Sequence, residues 1–514
     1  MADPRSRRTF IGGTLSLLGA CSDPLGLRSD SSTTVSGEGT GSPDGTADPV
    51  GVTPGAAPAP SFVPGVTWPV LETVTRYPGS SAEFNPLQVP AYLAQVSEPR
   101  APKQLASGRG KATVLTRISD VKAFAPPTQG GWTNFGPVYA SRQHWNADHS
   151  RMIVHAYDIA TTGAVNPHYL TTAAHFLDGR TGAYLKPCST PQRGLPPHWR
   201  WSNTDPDELL FVEYKGTTLG KYSLKADTFS VVKNFFPAYE AVTLDFNGGN
   251  AEPDLAGRYW ALGMQRQGAW YIVCWDRQED RVLSEIPVPM EPGSGHIADA
   301  TMSRSGRFIV IASTLPWTAA GVSIGRGIAV FDRSGKYLRS LDQGSSATNI
   351  IDHNGVALDS DGNDVWVYFR SVTGGDDRSI VSIRLDGTSP GTGRTEVEPG
   401  LILGAFYFIA CAFNRPDWVV VSDYPAPAGN TAFNQYPYRG MIWAFRLDGS
   451  GKVYSIGPSR YSTVDFKGLD WYFMIPWATP NRDLSTVLFK SSMSLDWSQG
   501  DHDTFHAYLA RPAP

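Results

Sequence analysis

Seven times along this chain, a polar turn is followed at once by a short apolar run, and this repeat constrains the fold more than any other feature of the sequence. The turns are built from Asn, Asp, Ser, Gly and Pro, and the runs are rich in β-branched and aromatic residues. The units lie at residues 146–154, 203–212, 254–261, 303–311, 359–368, 414–421 and 481–489. Each predicts a β-hairpin, because a short polar turn between two strand-like runs is the hairpin signal.

The spacing of these units predicts the architecture. They start about 50 to 67 residues apart, and several continue into a third strand-like run and a further turn, as at 328–335 and 441–449. Repeating all-β units of this length, with no amphipathic helix between them, fit a β-propeller of four-stranded blades. We therefore predict an all-β fold, a seven-bladed β-propeller over residues 138–514, and expect a strand within 114–123 to close the ring.

The N-terminal region has the pattern of an export signal. Residues 6–11, Ser-Arg-Arg-Thr-Phe-Ile, resemble a twin-arginine signal, and the apolar segment that follows is too short to span a bilayer. Residues 18–21, Leu-Gly-Ala-Cys, resemble the lipobox of bacterial lipoproteins, which makes Cys21 the lipidated residue. Residues 1–21 are thus predicted to be a twin-arginine lipoprotein signal. The protein is expected to be exported and lipid-anchored at the periplasmic or outer cell surface.

Residues 22–66 separate this signal from the rest of the chain. They are rich in Gly, Ser, Thr, Pro, Asp and Ala and contain few large apolar side chains. Such a segment buries too little surface to offset its ordering entropy, so we predict a disordered, low-complexity tether. Residues 67–137 are assigned to an N-terminal extension that includes the ring-closing strand.

Charge and cysteine content narrow the classes of function. The formal charge is -4 and there is no basic patch, which argues against a nucleic-acid partner. Beyond Cys21 there are three cysteines, an odd number, and Cys274 and Cys411 lie in apolar strand-like runs. We therefore expect these two to be buried thiols and the chain to have no disulfide framework.

A repeated pattern in the strand before each turn points to the axis of the ring. Its first residue is followed at i+2 and i+4 by small residues, and the pattern occurs at 247–251, 296–300, 353–357 and 408–412. Residues i, i+2 and i+4 of a strand share a face, so the small side chains face the crowded axis and the first residue lies at one mouth of the channel. The first position is held by Asn247, His296 and His353, and His198 has the equivalent place in the second unit.

Imidazoles gathered at one mouth of a channel form the geometry of a metal site. We predict that His198, His296 and His353, with Asn247 or a nearby carboxylate, hold a divalent cation, either Mn, Ca or Zn. The alternative is that each histidine hydrogen-bonds a neighbouring loop and that the protein has no cofactor.

The repeat region also resembles a known family. His198 and Arg200 before the turn at 202–206, the repeated Asp-Gly turns and the late turn at 447–451 are similar to features of bacterial β-propeller polysaccharide lyases, the oligogalacturonate and ulvan lyases above all. The resemblance covers residues 138 to about 510. It implies a lyase that cleaves a uronate-containing polysaccharide or oligosaccharide by β-elimination, with a divalent metal held by histidines at the channel mouth.

In β-elimination, a cation or an arginine neutralises the uronate carboxylate and a base then removes the acidified carbon-bound proton. The candidate bases are His144 and His198. Each has an arginine two residues away on the same strand face, Arg142 and Arg200 respectively. An arginine matches a carboxylate with two parallel hydrogen bonds, although a salt bridge between blades is an equally open role for both arginines.

Two further groups complete the predicted chemistry. Water or a tyrosine protonates the leaving oxygen, and the tyrosine candidates are Tyr139 and Tyr214. A metal at the mouth would act as a Lewis acid on the charge that develops on the uronate.

Other classes of function stay open at this stage. A non-catalytic surface lipoprotein could use the same propeller to bind a glycan or a protein partner, with the aromatic-rich stretch 424–438 as a sugar-binding loop. Glycoside hydrolysis would rely on Asp299 and Asp352, but strand alternation points Asp299 away from the axis. Nucleophilic hydrolysis is not supported, since the chain has no Gly-x-Ser-x-Gly elbow.

Overall fold

The structure is a computed structural model. It describes residues 103–106, 113–118, 134–137, 142–157, 173–188, 199–212, 216–244, 252–291, 297–319, 321–341, 354–371, 377–388, 393–403, 407–423, 441–451, 453–458, 476–491 and 506–512. Every regular element within these ranges is a β-strand, and none of their residues forms a helix that could cross a membrane. The predicted signal, Cys21 and the predicted tether lie outside them.

Seven sheets of four or five strands are the blades of a seven-bladed β-propeller, as the repeat predicts, and an eighth sheet is a two-stranded hairpin. The first two strands, β1 (Lys103–Ala106) and β2 (Thr113–Arg117), belong to the last blade. Blade 1 contains β3 (Asn134–Gly136), β4 (Arg151–Tyr157), β5 (Ala173–Asp178) and β6 (Tyr184–Pro187). Blade 2 contains β7 (Trp199–Trp201), β8 (Glu208–Val212), β9 (Thr218–Ser223) and β10 (Thr228–Asn234). Blade 3 contains β11 (Ala241–Thr243), β12 (Tyr259–Arg266), β13 (Ala269–Asp276) and β14 (Arg281–Val288).

Blade 4 has an inserted hairpin between its second and third strands. It contains β15 (Ile297–Met302), β16 (Phe308–Ser313), the hairpin β17 (Trp317–Ala319) and β18 (Val322–Ile324), then β19 (Gly327–Asp332) and β20 (Tyr337–Ser340). Blade 5 contains β21 (Gly355–Leu358), β22 (Asp364–Ser371), β23 (Asp377–Arg384) and β24 (Arg394–Leu403). Blade 6 contains β25 (Tyr407–Cys411), β26 (Trp418–Asp423), β27 (Met441–Arg446) and β28 (Val453–Pro458). Blade 7 contains β29 (Thr479–Pro480), β30 (Val487–Ser491) and β31 (His506–Pro512).

Blade 7 joins the two ends of the chain and closes the ring. β2 pairs antiparallel with β31, so that Val114 lies opposite Arg511, and β1 pairs with the outer edge of β2 as a fifth strand. The sequence placed the closing strand within 114–123, and the structure has it at Thr113–Arg117. β1, β2 and β3 all precede residue 138, where we expected the propeller to begin, because ring closure and blade 1 both draw on this earlier segment.

Side chains alternate between the two faces of each strand, so one strand contributes to two different interfaces between blades. β16 shows this most simply, because all six of its residues are buried. Ile309 and Ile311 pack into the apolar core shared with blade 3, whereas Phe308, Val310 and Ala312 pack into the core shared with blade 5. A strand with apolar residues on both faces is thus what a blade between two other blades requires.

The strand before each turn lines the axis, as the small residues at i+2 and i+4 predict. β21 contacts β25, and β25 contacts β29, although each belongs to a different blade. First strands of neighbouring blades touch one another only around the centre of a ring.

One turn design connects the first and second strands of blades 1, 3, 4 and 7. In blade 1 the N–H of Asn146 donates to the carbonyl of Arg151 (3.1 Å), and the N–H of Arg151 donates back to Oδ1 of Asn146 (2.9 Å). The same exchange occurs at Asp254, Ser303 and Asn481. Short side chains with an oxygen suit this position because they can accept a nearby backbone N–H. Because first strands of a propeller run in the same direction, these turns lie at one end of the channel, which we call the turn face.

Hydrogen bonds cross every junction between blades on the turn face. Distances between donor and acceptor run from 2.7 to 3.1 Å. From junction 1–2 round to junction 7–1 the pairs are Asn146 Nδ2 with Pro206 O, Asn203 Nδ2 with Asp254 O, Leu255 N with Arg304 O, Ser305 N with Asp364 Oδ1, Leu358 N with Pro416 O, Asn414 N with Arg482 O, and Arg482 Nε with Asn146 O. The turn face is therefore a closed hydrogen-bonded ring.

The three cysteines that the structure describes are free thiols. Cys188 and Cys274 are buried, and burial raises the pKa of each to about 12. Cys411 was expected to be buried as well, but it is partly exposed on β25. Its sulfur packs against Gly355 of the neighbouring first strand, so closely that a Cβ at this position would lie 3.1 Å from it.

Candidate functional site

Four of the residues predicted to do chemistry lie in the part of the chain that the structure describes: Arg142, His144, Arg200 and Asp299. The others lie outside it and remain predictions: Tyr139, His198, Tyr214, Asn247, His296, Asp352 and His353. The described residues around the axis therefore define the part of the candidate site that the structure shows.

His144 is enclosed between blades 1 and 2. Its side chain is fully buried, Nδ1 donates to the carbonyl oxygen of Ile153 (2.7 Å), and its ring meets the edge of Trp199 at 5.6 Å between centroids. The carbonyl oxygen of His144 accepts the indole N–H of Trp201 (2.8 Å). This geometry describes a packed histidine, which a sugar ring would reach only if the interface between the two blades opened.

Arg200 forms a buried ion pair between blades 2 and 3. Its side chain is 1% exposed, and Nε lies 3.3 Å from Oε1 of Glu252, which is 4% exposed. Nη1 donates to the carbonyl oxygen of Trp199 (2.8 Å). The salt bridge between blades is the role that sequence reasoning left open beside carboxylate binding, and a substrate carboxylate would have to compete with Glu252 for this guanidinium.

Arg142 and Asp299 are also buried. The carbonyl oxygen of Arg142 accepts the hydroxyl of Thr479 (2.9 Å), which joins blade 1 to blade 7 two residues before His144. Asp299 lies on β15 and is 1% exposed, so it offers no surface to a substrate.

Sequence reasoning missed two arginines that meet at the turn face, Arg304 and Arg482. Each is the second residue of its turn, after Ser303 and Asn481 respectively, and this shared position is the signal that could have found them. Both are buried, with exposures of 6% and 1%. Burial lowers the pKa of both guanidiniums, that of Arg482 to about 10, which keeps Arg482 charged at neutral pH.

Arg482 connects three blades. Nε donates to the carbonyl oxygens of Trp145 (3.2 Å) and Asn146 (3.1 Å) in blade 1. Nη1 donates to Oδ1 of Asn203 (3.0 Å) and Nη2 to the carbonyl oxygen of Ser202 (3.1 Å), both in blade 2. Every nitrogen of this guanidinium is therefore used in holding blades 7, 1 and 2 together.

Arg304 crosses from blade 4 to blades 5 and 6. Nε donates to the carbonyl oxygen of Val356 (3.0 Å), and the guanidinium lies over the ring of Phe413 at 4.1 Å from its centroid. Arg482 lies over the same ring at 5.2 Å. The axis is the only region that blades 2, 4, 5, 6 and 7 have in common, so Arg304, Phe413 and Arg482 together occupy the turn-face end of the channel.

No group of three or more His, Cys, Asp or Glu side chains that could hold a metal is found among the residues described. The histidines predicted to ligate a cation belong to the other part of the chain. The described residues thus form a buried, cationic turn-face end, and the metal site stays a prediction.

Comparison with known proteins supports the fold. No protein-family model matches the chain, and no curated protein matches it in sequence. Among solved structures, it is similar to an oligogalacturonate lyase in complex with manganese, with a TM-score of 0.51 and 14% identity over 81% of this chain and 97% of that one. It is also similar to the oligogalacturonate lyase of Vibrio parahaemolyticus, with a TM-score of 0.50 and 10% identity over 80% and 96% of the two chains. At these identities the likeness shows a common fold, the seven-bladed propeller.

Proposed function

We propose that this protein is a polysaccharide lyase that cleaves a uronate-containing polysaccharide or oligosaccharide by β-elimination, at the channel mouth opposite the turn face. The observation that supports this most is the match to two oligogalacturonate lyases over 97% and 96% of their lengths. A fold alone does not determine an activity. The second support for the proposed lyase activity is therefore the pattern of histidines at the start of the first strands.

His198 is a better candidate for the base than His144. The imidazole of His144 is fully buried and donates to a backbone carbonyl, which leaves it no approach to a substrate carbon. Arg142 and Arg200 are the candidates for neutralising the uronate carboxylate, and Tyr139 and Tyr214 for protonating the leaving oxygen. Arg200 would take this role by exchanging Glu252 for the substrate.

A divalent cation fits the predicted donor set. Three imidazoles suit a first-row cation such as zinc, and the amide oxygen also suits manganese, which one of the matched lyases holds. His198, His296, His353 and Asn247 would hold it, and the cation would supply Lewis-acid stabilisation of charge on the uronate. A ligating histidine has its lone pair on the metal and cannot accept a proton, so the two proposed roles of His198 exclude each other.

The test is ultraviolet absorbance of unsaturated uronate released from a panel of uronate glycans that includes oligogalacturonate. The full-length protein is assayed with and without a chelator, and Mn, Ca or Zn is then added back. A signal that the chelator abolishes and one cation restores supports a metal at the histidine mouth. A signal that survives the chelator supports His198 as the base.

Variants locate the activity on the molecule. His198→Ala and His353→Ala are each expected to lower the rate at least tenfold, in the range typical of lost acid–base or metal-ligand groups. His149→Gln is the matched control, because His149 lies on the turn face at the other end of the channel. Silence across the whole panel from a folded protein would reject the lyase and favour a non-catalytic propeller that binds a glycan or a protein.

We further propose that the protein acts outside the cytoplasm, lipid-anchored through Cys21, where an acidic polysaccharide is its partner. Replacement of Arg7 and Arg8 by Lys should retain the protein in the cytoplasm, because twin-arginine export depends on the paired arginines. Cys21→Ser should be exported but leave the membrane fraction. Cell fractionation with an antibody against the propeller measures both, and wild-type fractionation would show whether the protein is membrane-bound at all.

A further inference from the structure

The donors of Arg304 are only partly used. Nε bonds the carbonyl oxygen of Val356, but Nη1 and Nη2 donate to no residue that the structure describes. The side chain of Arg304 is only 6% exposed. Two donors of a buried guanidinium therefore have no acceptor among the described residues at the turn-face end of the axis.

The carboxylates near Arg304 are engaged elsewhere. Glu252 and Asp364 are close enough for their charges to act on the pKa of Arg304. Oε1 of Glu252 is paired with Arg200, and the two oxygens of Asp364 accept from the N–H and the hydroxyl of Ser305. Among the described residues, Arg304 thus has no carboxylate in contact with its terminal nitrogens, and Arg482 adds a second positive charge beside it.

A buried cation without a counter-charge in contact is unfavourable, and an anion that accepts from both terminal nitrogens would relieve that cost. A guanidinium is planar and presents parallel donors that match two oxygens of a carboxylate, phosphate or sulfate. Phe413 stacks against the guanidinium and fixes its plane. The structural elements of an oxyanion site are therefore present.

We propose that Arg304 binds a small oxyanion at the turn-face end of the channel. Arg482 strengthens the binding by its charge, while its own donors stay on the backbone of blades 1 and 2. Arg304 follows β15 and lies on the turn face, whereas the predicted metal ligand His296 precedes this strand in the sequence, and the six residues of β15 span roughly 20 Å. The oxyanion site is therefore distinct from the proposed lyase site and does not depend on it.

Isothermal titration calorimetry of the full-length protein tests this proposal, with sodium phosphate and sodium acetate as probes in a chloride buffer of constant ionic strength. We expect saturable binding of one equivalent of phosphate or acetate. Whichever binds identifies the site as one for tetrahedral oxyanions or for carboxylates. Arg304→Gln should bind about tenfold more weakly, the loss that follows from removing a charged donor pair.

Arg307→Gln is the matched control, since Arg307 lies in the same turn but is exposed. It should titrate like the wild type. Near-ultraviolet circular dichroism checks that each variant is folded. If Arg304→Gln does not fold, Arg304→Lys replaces it in the titration, because lysine keeps the charge but lacks the planar pair of donors. Absence of saturable heat in the wild type, or an unchanged affinity in Arg304→Gln or Arg304→Lys, would overturn the proposal.

Discussion

Arg482 and Arg304 occupy the same place in two turns of the same design, yet the molecule uses them differently. Arg482 finds four acceptors in blades 1 and 2, and every one of its nitrogens donates to the protein. Arg304 finds one acceptor in blade 5 and an aromatic ring in blade 6. The number of hydrogen-bond acceptors on the blades across the axis therefore determines the role of a buried arginine at this position. With many acceptors it connects blades, and with few it remains a cation whose donors can bind a ligand.

The two arginines are linked through blade 3. Nη1 of Arg482 donates to Asn203, whose Nδ2 donates to the carbonyl oxygen of Asp254 (2.9 Å). The next residue, Leu255, donates its N–H to the carbonyl oxygen of Arg304 (3.0 Å). Changes along this path can show whether the contrast between the two arginines is one of stability or of binding.

The largest expected effect is from Arg482→Met. It removes the donors from four acceptors, three of them backbone carbonyls, and leaves them unsatisfied in the interior. We expect a loss of about 3–5 kcal/mol in the free energy of unfolding, the range for breaking a buried charged network. Urea denaturation at pH 7.5 measures it. A loss below about 1 kcal/mol would show that Arg482 does not hold the blades together.

The next effect depends on pH and comes from Asp254. Burial raises the pKa of Asp254 to about 6, above its ordinary value of 3.8. The folded state then binds more protons than the unfolded state between these values, so stability falls as pH rises from about 4 to 6 and is lowest above pH 6. The shift corresponds to about 3 kcal/mol as an upper bound.

Asp254→Asn should therefore be more stable than wild type at pH 7.5 and equal to it near pH 4. The amide oxygen of Asn can still accept from the N–H groups of Arg258 and Tyr259, which the carboxylate accepts at 2.7 and 2.9 Å. Thermal unfolding of both proteins from pH 4 to 8 is the measurement. If the melting temperatures of the two proteins differ by the same amount at every pH, the pKa of Asp254 is the same in the folded and unfolded states.

Asn203→Ala tests the link between blades 2 and 3. It removes bonds to Arg482 and to Asp254, and each net hydrogen bond contributes about 1 kcal/mol. In a double-mutant cycle, Asn203→Ala and Arg482→Met should couple by about 1 kcal/mol, whereas Asn203→Ala and Arg304→Met should be additive. Additivity in both cycles would place Asn203 outside the network of Arg482.

The smallest effect is expected from Arg304→Met in the absence of an oxyanion. One hydrogen bond to Val356 is lost, but a buried charge is removed at the same time, and these terms oppose each other. The free energy of unfolding should change by less than about 1 kcal/mol in chloride buffer. A loss as large as that of Arg482→Met would show that the two arginines are equivalent and remove the contrast between them.

The blades could be predicted because every blade repeats one local signal. A turn starter such as Asn146 or Ser303 and the apolar run after it determine a hairpin without reference to the rest of the chain. The arginines could not be predicted in this way. Arg482 and its acceptors Asn203 and Ser202 are 279 and 280 residues apart, so their contact depends on ring geometry.

The candidate site was predictable only in part, for the same reason. The pattern of small residues located the first strands at the axis, but the partner of Arg200 lies in the next blade, and nothing in the local sequence selects Glu252. Cys411 shows a further difficulty, because an apolar run does not say which of its side chains faces the axis and which a neighbouring blade.

Blade 7, which closes the ring, also determines when the propeller can finish folding. Val114 is paired with Arg511, so β2 waits for a strand that is made 397 residues later. At cellular rates of synthesis the delay is on the order of 20 to 80 s. During that time β2 has no partner on the side of β31, and blade 7 acquires its inner strands only at the end. The pairing of β2 with β31, rather than the formation of any single blade, is therefore the event on which a closed ring depends.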